Sequence, residues 1–183
     1  MEFYIDIKLN PDAEMHENVL MNKVYTKLHK ALFDLKSTAV GISFPEYKVL
    51  LGRKIRLHSN SSMLNDLQGL NWLGGLSGYC QLSAILPVPQ NAQYRIISRK
   101  QSTMTNAKLN RLIKRGTISE ENIKAYKAKM FTKGLDNPYL ELVSTSNDHT
   151  HRRYIQFSDL LTKSVDGEFD QFGLSKTATV PWF

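Results

Sequence analysis

Apolar and polar residues alternate from the start of the chain, with Phe3, Ile5, Ile7 and Leu9 set against Tyr4, Asp6 and Lys8. A period of two predicts a half-buried strand, and Asn10-Pro11-Asp12 ends it with turn chemistry. The period then lengthens. Over residues 15–35, Leu20, Val24, Leu28, Ala31, Leu32 and Leu35 recur at helical spacing, with Met21 and Tyr25 beside them. That spacing predicts an amphipathic helix. Strands are predicted at 39–44, stopped by Pro45, and at 54–58. Ser61 or Ser62 can cap a second helix, with Leu64, Leu67, Leu70 and Trp72 towards the core. Tyr79 to Leu86 reads as another strand, closed by Pro87-Val88-Pro89. The order β-α-β-β-α-β is the split βαβ arrangement of ferredoxin-like domains. That fold hosts many functions and decides none.

The organisation changes after residues 87–93. Tyr94 to Gln101 predicts a strand with Arg95, Ile97, Arg99 and Gln101 on one face and Ile96 and Ser98 on the other. Thr105 or Asn106 caps a helix over 106–116, where Gly116 suits a left-handed C-terminal cap. Thr117-Ile118-Ser119-Glu120 offers a capping box for another helix, to about Met130. Tyr139 to Thr145, Arg152 to Phe157 and Glu168 to Phe172 read as short strands. The expected fold is therefore α+β. A ferredoxin-like (βαββαβ) scaffold domain spans 1–93, and a smaller α/β domain carrying a basic helix spans 94–183.

Composition narrows the class. The chain has 183 residues, 42% hydrophobic and 22% charged, which suits an ordinary globular protein with a core of its own. No apolar run approaches the roughly 18 residues of a membrane span. Met1 to Asp6 has neither a basic leader nor an apolar stretch, so no export signal is expected. The single cysteine, Cys80, excludes an intrachain disulfide and a multi-cysteine zinc site. A cytoplasmic location is the default expectation. There is no glycine-rich phosphate loop, zinc motif or nucleophile elbow, so no cofactor and no metal are expected. Asp148, His149 and His151 have only weak metal-like spacing.

Charge says more. The net charge is +7, and ten of the basic residues fall between Arg95 and Lys129, opposed there only by Glu120 and Glu121. A basic block on an otherwise balanced chain is the footprint of a polyanion partner. An acidic membrane surface fits less well, because the block lacks a large aromatic face. Within the basic helix, Lys108, Arg111 and Arg115 share a face at i, i+3 and i+7, with Lys114 flanking them. Leu109, Leu112 and Ile113 form the apolar side. Such a row suits phosphates along a groove. In the preceding strand, Arg99 and Gln101 face the same way and could read guanine and adenine edges. A solvated helix without a ligand gives the same spacing, and Arg-x-Gln alone is common.

The residues together resemble the type I-F CRISPR repeat-processing endoribonuclease family. The resemblance runs through Phe3-Tyr4-Ile5-Asp6-Ile7, Lys27-Leu28-His29-Lys30-Ala31-Leu32 and Gly41-Ile42-Ser43-Phe44-Pro45. It continues through Ser98-Arg99-Lys100-Gln101, the basic helix and Ser144-Thr145-Ser146. It closes on Phe172-Gly173-Leu174-Ser175-Lys176 and Val180-Pro181-Trp182-Phe183. The resemblance implies a protein that grips the stem-loop of a CRISPR repeat with its basic helix in the major groove. It implies a cut at the 3′ base of the stem by the RNA's own 2′-hydroxyl, without metal, after which the product stays bound within a surveillance complex. His29 is then the general base, a role suited to a reference pKa of about 6.5. Ser144 positions the nucleophile and phosphate, Ser146 assists it, and Phe172 packs on or orients His29. Arg99, Gln101, Lys108, Arg111, Lys114, Arg115, His151 and Arg152 would contact RNA. Read without the family, a lone histidine at the edge of an apolar stripe is more often structural than catalytic.

Two departures stand out. The family usually has a tyrosine where this chain has Phe172, and the aromatic that stacks under the last base pair aligns with His151, with Tyr154 as the alternative. Lysines also replace some expected arginines, which predicts more salt-sensitive recognition. The rival readings are a catalytically inactive hairpin-binding subunit of the same complex and an unrelated RNA-binding regulator.

Overall fold

The computed structural model describes residues 1–101, 104–132, 137–143 and 150–183, and of 131 and 132 the backbone alone. Strand β1 (Phe3–Leu9) sends Ile5, Ile7 and Leu9 into the interior, as its alternation predicts. Helix α1 (Glu17–Asp34) lays Leu20, Met21, Val24, Tyr25, Leu28, Ala31 and Leu32 against the same interior. Strands β2 (Gly41–Ser43) and β3 (Lys54–Ser59) follow, then helix α2 (Ser61–Gly69). The cap of α2 is Asn60, whose side-chain oxygen accepts from the Met63 amide at 2.8 Å, rather than either serine. Leu70 lies just past the helix end and is exposed, contrary to expectation.

A 3-10 turn (Gly74–Tyr79) leads to β4 (Cys80–Leu82) and β5 (Leu86–Pro87). Both pair with one edge of β1, in registers that differ by one residue. The predicted strand at 79–86 is thus broken by a bulge. Ser83 opens that break: its hydroxyl accepts from the Asp6 amide and its own amide donates to the Asp6 carbonyl. The first sheet runs β2-β3-β1-β4, antiparallel throughout.

The second half contributes β6 (Gln93–Arg95), β7 (Ile97–Lys100), α3 (Asn106–Lys114), α4 (Glu120–Thr132), β8 (Tyr139–Val143), β9 (Thr150–Phe157) and β10 (Val180–Trp182). The strand predicted at 94–101 divides at Ile96. β6 pairs with β10, while β7 joins a sheet of order β7-β9-β8. No strand forms at 168–172. The Asp170 carboxylate accepts from the Phe172 and Leu174 amides, and Gly173 takes φ +71°. Side-chain bonds of this kind offer the backbone a turn in place of a ladder.

The fold is mixed α/β with antiparallel sheets. Ile5, Leu28 and Phe44 share one buried cluster with Leu140, Ile155, Leu174 and Val180, so both halves of the chain build the same core. Gly41 permits the join, since a Cβ there would meet Val180 and Phe169 at 2.5 and 2.9 Å. Among the described residues, no helix is long and apolar enough to cross a membrane.

Candidate active site

Tyr25 and His29 are one helical turn apart on α1, and both reach the loop after Phe169. The Tyr25 hydroxyl donates to the Phe172 carbonyl at 2.9 Å, and burial raises its pKa, so it stays a donor. His29 Nδ1 lies 2.8 Å from the Gln171 carbonyl oxygen. A carbonyl can only accept, so Nδ1 carries the hydrogen and neutral His29 keeps its lone pair on Nε2. The ring also stacks on Phe172 with centroids 3.5 Å apart and an 11° interplanar angle. His29 is thus held in one tautomer and one orientation, with a basic nitrogen to offer.

His58 is the contrasting case. It is fully buried, with Nε2 2.8 Å from the Ser43 hydroxyl, and burial followed by the nearby Arg56 holds its pKa well below the usual range. It can reach no substrate. His16 is exposed at the start of α1, with no side-chain capping bond.

The other face of Phe172 carries Arg153. The Arg153 guanidinium carbon lies 3.5 Å from the ring centroid. Two groups at that distance from one centroid cannot share a face, so Phe172 separates imidazole from guanidinium. Arg153 is buried, and Asp170, Gln171 and Phe172 line a groove with it, Arg99, Gln101 and Lys176.

Sheet pairing sorts the remaining candidates. Residues directly opposite in an antiparallel pair share a face. Arg99 opposes Ile155, Leu140 opposes Arg153 and Leu142 opposes His151, so all six lie on the inward side of the β7-β9-β8 sheet. Arg99 and Gln101 are exposed at its rim. Arg152 is on the outer face, where its Nε bonds the Glu141 carboxylate at 3.1 Å and its guanidinium covers Tyr139 at 4.4 Å. Tyr154 lies on that outer side too, against Tyr139. Arg152 and Arg99 are therefore not brought together on one face. Ser144 and Ser146, with Asp148 and His149, lie outside the described residues.

Helix α3 follows its sequence signals closely. The Thr105 hydroxyl accepts from the Lys108 amide at 3.1 Å, and Gly116 takes φ +64°. Lys108, Arg111, Lys114 and Arg115 are all exposed. Leu109 alone is buried, Leu112 is half-buried, and Ile113 is 44% exposed, so the apolar side is narrower than expected. The Tyr126 hydroxyl of α4 accepts from the Thr105 amide and ties the two helices. Arg95, counted in the basic block, is spent on structure. It donates to the Ser158 carbonyl and Tyr47 hydroxyl and lies over Trp182.

Sequence reasoning missed Arg153, Tyr25 and Gln171. Alternation along β9 would have put Arg153, rather than Arg152, with Ile155. The tyrosine and glutamine had no local signal.

These features define a mixed α/β protein with an oriented imidazole beside a groove rimmed by cations. The description CRISPR-associated protein (Cas_Csy4) belongs to a family that matches residues 4–183. A relative from Escherichia coli (strain UTI89 / UPEC), named CRISPR-associated endonuclease Cas6/Csy4, is 36% identical over 184 residues, covering 100% of both chains. A relative of the same name from Pseudomonas aeruginosa (strain UCBPP-PA14) is 34% identical over 187 residues, again covering 100% of both. A solved structure described as CRISPR associated protein Cas6 is 11% identical with a TM-score of 0.40, covering 99% of this chain and 98% of its own. The chain belongs to the Cas_Csy4 family of CRISPR-associated proteins.

Proposed function

We propose that this protein is an endoribonuclease that binds the hairpin of a CRISPR repeat and cuts precursor RNA at the 3′ base of the stem. The observation that carries the reading is the Nδ1 contact of His29 with Gln171, which leaves Nε2 as a general base beside a cationic groove. The names of the two full-length relatives support the activity class.

In the proposed reaction, Nε2 takes the proton of the ribose 2′-hydroxyl. The 2′-oxygen bonds to phosphorus, and the bond to the 5′-oxygen breaks with its electron pair on that oxygen, which takes a proton from solvent. The products are a 2′,3′-cyclic phosphate and a 5′-hydroxyl, and no step requires a metal. Ser144 and Ser146 would align the ribose and phosphate, and Phe172 would hold His29. Lys108, Arg111, Lys114 and Arg115 would bind stem phosphates, His151 would stack under the last base pair, and Arg152 would contact RNA from the opposite face of β9. Residues 1–93 would form a ferredoxin-like scaffold, a reading supported by the β2-β3-β1-β4 order. Residues 94–183 would engage RNA, and the protein would act in the cytoplasm as a subunit of a surveillance complex.

A labelled repeat hairpin incubated with the protein in EDTA tests this directly. One cut at the stem's 3′ base, leaving a cyclic phosphate, is expected, with a scrambled stem uncut. Cleavage of both stems alike would defeat the hairpin reading. Phe172, which lacks a hydroxyl, favours one alternative, an inactive hairpin-binding subunit.

Arg99 adds a second expectation. Arg99→Ala weakens binding of the cognate hairpin by about 1–3 kcal/mol if the side chain reads a guanine. Equal losses on cognate and scrambled stems, measured by filter binding, would make it a phosphate contact instead.

A further inference from the structure

Arg153 has no part in the reaction above, yet its surroundings are unusual for a guanidinium. The residue is 6% exposed, and its Nε has no hydrogen-bond partner. Among the described residues no ion pair neutralises it. An uncompensated buried charge is costly, and arginine cannot shed its proton to escape the cost. The charges near it give incomplete relief. Arg99 repels it, and Asp170 attracts it while one carboxylate oxygen of Asp170 is held by two backbone amides. Glu168 and Lys176 also line the groove and oppose each other in sign. The face of Phe172, 3.5 Å from the guanidinium carbon to the ring centroid, is a favourable contact. An anion entering the groove would supply the missing partner.

We propose that Arg153 binds the phosphate at the cut, contacting a non-bridging oxygen and neutralising charge that develops there during attack. This rests on the ribonuclease reading. The span fits. Imidazole and guanidinium lie 3.5 Å to either side of the Phe172 ring. Two hydrogen bonds of about 2.8 Å, joined through an attacking oxygen and a phosphate, cover roughly 8 Å. One phosphate bridging the rim of Phe172 can therefore meet both groups. A guanidinium already held against Phe172 beside the groove can meet developing phosphate charge with little reorganisation.

The test uses two synthetic product hairpins ending at the cut, one with a 3′-phosphate and one with a 3′-hydroxyl. Wild type binds the phosphate form tighter by roughly ten- to hundredfold, as a charge-assisted hydrogen bond implies. Arg153→Met keeps an unbranched stem on Phe172. It brings the preference to within about twofold while affinity for the hydroxyl hairpin is unchanged. Arg153→Gln serves the same purpose if the methionine variant does not fold. Equal binding of both hairpins by wild type overturns the assignment. So does a preference that survives removal of the Arg153 charge, or one abolished by Arg99→Met alone. If cleavage is intact in any of these cases, the ribonuclease reading stands and only the role of Arg153 falls. Failure to bind either hairpin sinks both.

Discussion

His29→Ala leaves hairpin binding intact and lowers cleavage by about 10²–10⁴-fold, the range for losing a positioned general base. The magnitudes make the experiment decisive. The substitution removes one partly exposed hydrogen bond, worth about 1 kcal/mol, and one stacked pair, worth about 0.5–1.5 kcal/mol. Neither loss should unfold a protein whose core lies elsewhere, in residues such as Ile5, Leu28 and Ile155. The rate loss corresponds to roughly 3–5 kcal/mol in the barrier, beyond what loosened packing explains. Single-turnover cleavage, with binding measured alongside, separates the two effects. A variant cutting as fast as wild type would place the base elsewhere. Binding by both proteins with cleavage by neither would favour the inactive hairpin-binding subunit.

Phe172→Ala has the second largest expected effect, and it acts on two properties at once. Phenylalanine-to-alanine changes in a full core cost about 3–5 kcal/mol. Phe172 is only half-buried, so its cost falls below that range. Catalysis suffers more. The Gln171 contact remains, but the plate against which His29 lies is gone, and freed imidazole rotation lowers the rate by roughly 10–10²-fold. The loss appears in the single-turnover rate rather than in hairpin affinity. Phe172→Tyr keeps the stack and adds a hydroxyl, so its rate should match or exceed wild type. A tyrosine variant as impaired as the alanine variant would show that stacking is not what Phe172 supplies.

Local chemistry was legible where a residue's neighbours in sequence are its partners in space. The alternation of β1, the stripe of α1 and both ends of α3 were readable because caps and periodicity act within a few residues. The Asp170-to-Gly173 turn carried local signals too, but the apolar Phe169 and Phe172 suggested a strand. Arg95 looked like one more cation of the basic block. Its aromatic partners, Tyr47 and Trp182, lie far along the chain in either direction. The site was harder still. Sequence spacing put His29 at the edge of a stripe, yet the carbonyl that fixes its tautomer lies 142 residues away. Arg153 differs from Arg152 only in which side of β9 it occupies, a matter of strand register.

That separation has a consequence for the protein's own synthesis. His29 lies on α1, while the carbonyl that fixes its tautomer joins the chain 142 residues later. A nascent chain lacking residues 170–174 has the histidine but neither the Gln171 carbonyl nor the Phe172 ring to hold it. In a chain synthesised from its amino end, the imidazole is therefore made before the two groups that fix its tautomer and its plane.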